Sequence, residues 1–342
     1  MKSSSQSPFP APFIPHPLVM GGHLQTLVAH FGKGPEGGDH QLAFEVPVSD
    51  GDALVIHVNE PSREPSANPA SQSLSDKTLV VLHGLSGCSM SLYAQHLAAK
   101  LTRQGIRVVR INHRGCGASA KTSKGIYHAG SSPDVHEVIN WVARRWPKSQ
   151  VFVAGFSLSG NMLLNWASRE EFVARHPSNL AGVMAVSAPV QLEECSQALS
   201  KWSNVHFDQY FTRRLIATAQ ERQQWPSKIV RPDGTSPGWL TLREFDDIFT
   251  SIRAGFRDRK DYYQKASAYP HLPNVSCPAV ILAAADDPFI PARSYDGVQW
   301  PRETRRWFQD HGGHVGFIGR NKTQFGDRRW MDAVIAQWVA SS

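Results

Sequence analysis

A serine attacks a carbonyl carbon only if one group takes its proton and another holds that base in place. Three stretches of this 342-residue chain supply such groups in a single order: VFVAGFSLSGNMLLNW carries Ser157, AVILAAADDPFIP carries Asp286 and Asp287, and DHGGHVGFI carries His311 and His314. Ser157 stands between an apolar β-branched run and an apolar helical run. A sharp strand-to-helix turn there would expose its hydroxyl at the carboxyl edge of a sheet, beside a helix N-terminus. The two aspartates directly follow a late strand that reads as buried. The two glycines before His314 give its loop the freedom to bring an imidazole close to a serine, and His311 reads as a surface neighbour. The chemistry this predicts is acyl transfer: His314 takes the Ser157 proton, an acyl-enzyme forms, and water activated by the same histidine releases the acid. It needs no cofactor and no metal.

The oxyanion formed in such a reaction must be met by preorganised N–H donors. TLVVLHGLSGCSMSLY places a glycine-bearing loop after a central strand, so the backbone amides of Leu85 and of Leu158, the residue after the nucleophile, are the candidates. The strict turn motif is G-x-S-x-G; Ser159 replaces the last glycine, a position where small size is what packing needs. His83 reads as a structural hydrogen-bonding histidine. Tyr127, His113 and His128 read as residues that fix loops. Cys88, near the oxyanion loop, has no base of its own. A metal site from Asp286, Asp287, His311 and His314 is the weaker alternative, since no ligand-type spacing such as HExxH occurs. A serine that merely caps a helix would leave the matching Asp and His as coincidence.

These groups need elements to carry them. LAFEVPV and DALVIHV flank Ser49-Asp50-Gly51, which predicts an antiparallel hairpin. From residue 78, short β-branched runs alternate with amphipathic stretches, the pattern of a parallel sheet with crossover helices. In PDVHEVINWVARRW the residues Val135, Val138, Ile139, Val142 and Trp146 share one helical face. The alternation stops between Pro189 and about Tyr269, in a helical, aromatic-rich stretch, then resumes with AVILAA, a strand near TRRWF and a terminal helix. This predicts three regions: a packed amino-terminal arm, mostly irregular, over 1–40; a core over 41–188 and 270–342; and a helical cap over 189–269. Aromatics of the cap, among them Trp202, Phe207, Tyr210 and Phe211, would pack it on the sheet and bound an acyl pocket.

Composition narrows the classes. Apolar residues make up 41% and charged residues 19%, enough for a buried core. No run approaches the roughly eighteen apolar residues of a membrane span, and the first residues have no signal-peptide core, so a cytoplasmic location without a membrane anchor is expected. Four separated cysteines form no CxxC pair and read as reduced thiols. The net charge of +7 is spread in small groups without a nucleic-acid motif. No nucleic-acid partner is expected, while a weak peripheral contact with an anionic membrane stays open.

The motifs HLQT at His23 to Thr26, HGLSG, NHRGCG, YHAG, GFSLSG, EFDD, DYY, ADDPFIP and GGHVGF are spread over nearly the whole chain. Together they resemble the YheT-like branch of α/β-hydrolases, which is similar to eukaryotic abhydrolase-domain proteins. The resemblance implies an α/β-hydrolase fold: a mostly parallel, doubly wound sheet with an amino-terminal antiparallel hairpin and an inserted helical cap. It implies a carboxylesterase-type activity on partly apolar or lipid-like small-molecule esters. It carries the triad onto Ser157, Asp287 and His314. Asp287, four residues before Pro291, fits the acid loop of these hydrolases, with Asp286 as the alternative. A thioesterase or acyltransferase would use the same triad, and a non-catalytic lipid- or ligand-binding member of the fold would not require it. EFDD and DYY receive no role beyond packing.

Overall fold

The computed structural model describes residues 12–35, 41–61, 76–227, 229 and 238–341. The Ser/Pro-rich loop after the hairpin lies mostly outside the described residues. Eight strands form one sheet: β1 (Leu42–Pro47), β2 (Ala53–Asn59), β3 (Lys77–Leu82), β4 (Arg107–Ile111), β5 (Gln150–Phe156), β6 (Leu180–Val186), β7 (Ala279–Ala284) and β8 (Thr304–Gln309). Their order is β1-β2-β4-β3-β5-β6-β7-β8. β2 pairs antiparallel with β1 and with β4, and every other pairing is parallel. The strand order reverses around β3, so the carboxyl ends of β3 and β5 open a crevice where an α/β sheet binds ligands.

Alternate residues of the inner strands point to opposite faces, and both faces are covered. Val80, Leu82, Val109, Val153 and Ile281 pack under the helices Ser132–Arg145 and Leu158–Ser168. Leu79, Val81, Phe152, Ala154 and Leu282 pack under the helices Leu92–Thr102 and Trp330–Ser341. Each such side chain, fully removed from water, contributes roughly 1.5–3 kcal/mol. Continuous burial explains why these strands read as apolar runs instead of alternating ones. Val135, Val138, Ile139 and Val142 form the expected stripe at 0% exposure. Trp146 packs against the same core from just past the helix, which ends at Arg145, and its indole also lies against the Arg107 guanidinium at 4.4 Å.

The NHRGCG loop is fixed by charge. Arg114 reaches Asp50 at 2.6 Å, Asp52 at 2.8 Å and Asp134 at 2.7 Å, so one guanidinium joins the hairpin turn, the loop after β4 and the start of a crossover helix. Between β6 and β7 the chain leaves the sheet. Its described part is helical, with Leu192–Leu199, Val205–Glu221, Leu242–Phe245, a π turn Asp246–Thr250 and Arg259–Ala266. Phe207 and Phe211 meet Phe289, on the loop after β7, at 4.8 and 6.0 Å between ring centroids. The described part of the amino-terminal arm is more regular than its composition suggests. It forms the helix Gly22–His30, and Pro15 bridges to Gly319.

Candidate active site

β5 ends at Phe156 and a helix starts at Leu158, so Ser157 must turn the chain alone. It does so at φ 52° and ψ −120°, a strained conformation for a residue with a Cβ. The surroundings enforce it: the Ser157 N–H donates to Val186 O at 2.8 Å, and the Gly160 N–H donates to Ser157 O at 2.8 Å. A side chain at Gly155 would run into the Ser159 carbonyl, 2.5 Å from a Cβ there. Strand and helix can therefore approach only because residue 155 has no side chain.

At the other end of the pocket floor, the loop after β7 carries Asp287 and the loop after β8 carries His314. His314 Nε2 lies 2.8 Å from Ser157 Oγ, and His314 Nδ1 lies 2.9 Å from Asp287 Oδ2. A carboxylate facing Nδ1 fixes the proton on that nitrogen and leaves Nε2 free to accept from the serine. Asp287 Oδ1 accepts the N–H groups of Phe289 and Ile290 at 2.9 and 3.0 Å. Asp286 points elsewhere: Oδ1 accepts the Gly313 N–H at 2.8 Å, and Oδ2 faces His311, whose side chain is 47% exposed. The structure thus brings Ser157, His314 and Asp287 into one chain of hydrogen bonds, and puts Asp286 and His311 beside it.

Leu85 and Leu158 both border the cavity at Ser157, and among the described residues neither backbone amide has an acceptor. Their loop is braced by tyrosines. The Ser86 N–H donates to Tyr127 Oη at 2.6 Å, and the Gly84 N–H donates to Tyr93 Oη at 2.9 Å. His83 donates from Nδ1 to Gly84 O and accepts the His113 N–H at Nε2. Burial pushes its pKa down to about 4, and that of His113 well below the ordinary value, so both imidazoles stay neutral. Ser159 is more than small: its hydroxyl donates to His83 O and lies 2.7 Å from His113 Nε2. One hydroxyl links the elbow to the loops after β3 and β4, a role invisible in a motif where the position reads as glycine.

The amino-terminal helix supplies residues that sequence reasoning left without a role. Thr26 Oγ1 donates to Gly22 O at 2.7 Å and accepts the His314 N–H at 2.9 Å. Gln25, fully buried, accepts the Ile318 N–H and donates to Val19 O and Ile318 O. The helix also lies so close to the Asp286 backbone that a Cβ on Gly22 would stand 1.7 Å from the Asp286 carbonyl oxygen. HLQT is one of the motifs that carry the family resemblance, but 288 residues separate Thr26 from His314.

Two cavities meet at the serine. One, about 420 Å³, runs beneath the helical excursion, with Leu199, Leu215, Phe245, Phe249 and Ile290 in its wall. The other, about 670 Å³, runs toward the amino-terminal helix and is bordered by Leu27, Phe31, Met90 and Phe207. Among the described residues, only His96, Asp327 and Asp332 converge as metal ligands could, and Lys100 bridges both carboxylates there, at 2.5 and 2.6 Å. Asp286, Asp287, His311 and His314 do not converge in that way.

A parallel sheet with an antiparallel hairpin, a serine on the turn after β5, and an acid and a histidine on later loops define the class of α/β hydrolases. Residues 77–320 match the family model described as alpha/beta hydrolase fold, and the chain belongs to this family. It is 31% identical over 340 residues to "Putative esterase YheT" of Escherichia coli (strain K12), across 97% of this chain and 94% of that protein. It is 29% identical to human "Phospholipase ABHD3" over 274 residues, 77% of this chain and 63% of that protein. Among solved structures, the Pyrococcus furiosus esterase Pf2001 shares the fold at 14% identity and a TM-score of 0.53, over 88% of this chain and 92% of that one. GrgF from Penicillium sp. sh18 does so at 15% and 0.55, over 87% and 97%. The chain is thus an esterase- or lipase-type member of the fold. None of the helices among the described residues is long and apolar enough to cross a membrane.

Proposed function

We propose that this protein is a serine hydrolase that cleaves carboxylic esters through an acyl-enzyme, with Ser157 as nucleophile, His314 as general base and Asp287 as the residue orienting the imidazole. The observation that carries the reading is the unbroken line Ser157 Oγ, His314 Nε2, His314 Nδ1, Asp287 Oδ2, at 2.8 and 2.9 Å. In this reading His314 removes the serine proton as Oγ bonds to the ester carbonyl. The resulting oxyanion is held by the Leu85 and Leu158 amides, each worth about a hundred- to thousand-fold in rate. The protonated His314 then gives its proton to the leaving alcohol, and the same imidazole activates the water that releases the acid. The apolar wall of the smaller cavity suits the acyl chain of a partly apolar ester.

The test is labelling by a fluorophosphonate probe together with hydrolysis of p-nitrophenyl esters of increasing chain length. Labelling and turnover are expected in the wild type, and both vanish in Ser157→Ala. Labelling that survives Ser157→Ala would overturn the assignment. Release of acyl groups to an added alcohol or thiol in preference to water would make the enzyme a transferase with the same triad.

A further inference from the structure

The smaller cavity is bordered by cations and carboxylates together, Arg114, Arg214, Arg222, Glu221 and Asp246. The larger one is bordered by Arg214, Arg329 and four histidines, His23, His30, His206 and His314, and among the described residues by no aspartate or glutamate. Two buried cations elsewhere in this fold are neutralised: Arg114 meets three carboxylates, and Lys100 meets two. Arg214 meets none among the described residues. Its Nη2 donates to Ser86 O at 3.3 Å, and its guanidinium lies 5.6 Å from the Tyr210 ring centroid. The Arg329 side chain likewise donates, among the described residues, only to a carbonyl, Ala29 O, at 3.3 Å.

A solvated arginine on a helix is ordinary, but this one lies beside the loop after β3, where the two cavities meet. Arg214 borders both cavities, together with Leu85, Ser86 and Ser157. Its contact with Ser86 sets the guanidinium beside the loop that carries the Leu85 amide. Most of its five N–H donors are unclaimed, and a guanidinium presents them in a fork that matches carboxylate and phosphate. Its field is felt nearby, since the His30 pKa is lowered by burial and then by the Arg214 charge.

We propose that the larger cavity receives an anionic group, a phosphate or a carboxylate, carried by the substrate on the alcohol side of its ester, and that Arg214 is the residue that meets it. The substrate class is then an amphiphilic ester with a negative head: the acyl chain lies in the smaller apolar cavity, and the head lies under Arg214, with Arg329 adding long-range attraction. This deepens the ester-hydrolase reading and, as a statement about substrate, rests on it.

The test separates the two. In the Ser157→Ala protein, binding of 1-O-dodecylglycerol 3-phosphate, 1-O-dodecylglycerol 3-hemisuccinate and uncharged 1-O-dodecylglycerol is followed by tryptophan fluorescence at low salt, below the micelle concentration. In the wild type, kcat/KM is compared for lysophosphatidate and monoacylglycerol of one chain length. At least one anionic amphiphile is expected to bind about tenfold or more tightly than the neutral one. Arg214→Gln should cut that difference about tenfold, Arg214→Lys should keep part of it, and added salt should weaken it. The better of the phosphate and the carboxylate names the head group. Equal binding of charged and neutral amphiphiles, or a preference that Arg214→Gln leaves intact, overturns the proposal. Ester hydrolysis with no anionic preference sinks this inference alone. Arg214-dependent anion binding in a protein that hydrolyses no ester sinks the hydrolase reading and leaves the anion site standing.

Discussion

Thr26→Val replaces a hydroxyl by a methyl group of nearly the same size at a buried position, 7% exposed, so it tests a hydrogen bond with little change in packing. The hydroxyl donates to Gly22 O at 2.7 Å and accepts the backbone N–H of His314 at 2.9 Å. Valine leaves that N–H without an acceptor in the reactive arrangement, which costs roughly 1–3 kcal/mol. The His314 loop escapes the penalty by moving its amide toward water, and the imidazole moves with it. If the reactive conformer alone bears the penalty, its population falls by roughly 5- to 150-fold. The expected result is a fall in kcat of about tenfold or more on a soluble p-nitrophenyl ester, with a smaller change in KM, because Thr26 hydrogen-bonds the His314 amide and only borders the larger cavity. Thr26→Ser keeps the oxygen and should restore most of kcat. Equal losses in the valine and serine variants, or a folded valine variant with wild-type kcat, would refute the idea that this helix positions the base.

Other outcomes follow from the same geometry. Asp287→Asn should lower kcat by roughly four orders of magnitude through loss of the correct tautomer, whereas Asp286→Asn, which disturbs only Gly313 and His311, should lower it less than about tenfold; steady-state kinetics of the two variants decide between the acids. Ser159→Ala should reduce stability in urea by about 1–3 kcal/mol, because it strips the buried partner from His113 Nε2 and His83 O. Arg114→Met should destabilise by roughly 3–5 kcal/mol by leaving the buried carboxylates of Asp52 and Asp134 unpaired, again read from urea curves. His83 and His128 are both pushed down to about 4 by burial, with the Arg114 charge adding to the effect at His128. Between pH 6.5 and about 4 the unfolded chain therefore binds protons that the folded one refuses. Stability should fall as pH drops through that window, by up to about 1.4 kcal/mol per pH unit per histidine, and show no slope from them above it. Unfolding free energies at a series of pH values check this, and a flat profile from about pH 6.5 to 5 would contradict it.

What the chain spelled out locally was legible. Val135, Val138, Ile139 and Val142 lie one helical turn apart and needed only a sheet beneath them. AVILAA is apolar throughout because both its faces are covered, and VFVAGFSLSG changes period where the backbone turns. These are short-range matters of side-chain shape and backbone freedom, and neighbouring residues decide them. Trp146 reaches the same core from beyond the helix end, because periodicity does not say where a helix stops.

Tertiary structure alone decided what touches what. Asp286 and Asp287 are chemically identical neighbours, and only the path of their loop turns one toward His314 and the other toward Gly313. Gln25 and Thr26 carry ordinary helical residue types, and nothing within the segment tells that they hold a loop near the other end of the chain. Ser159 looked like a substitute for glycine until two loops converged on its hydroxyl. Spacing along a chain records which residues are present, whereas hydrogen bonds and unpaired charges depend on distances that exist only after the sheet has brought its strand ends together.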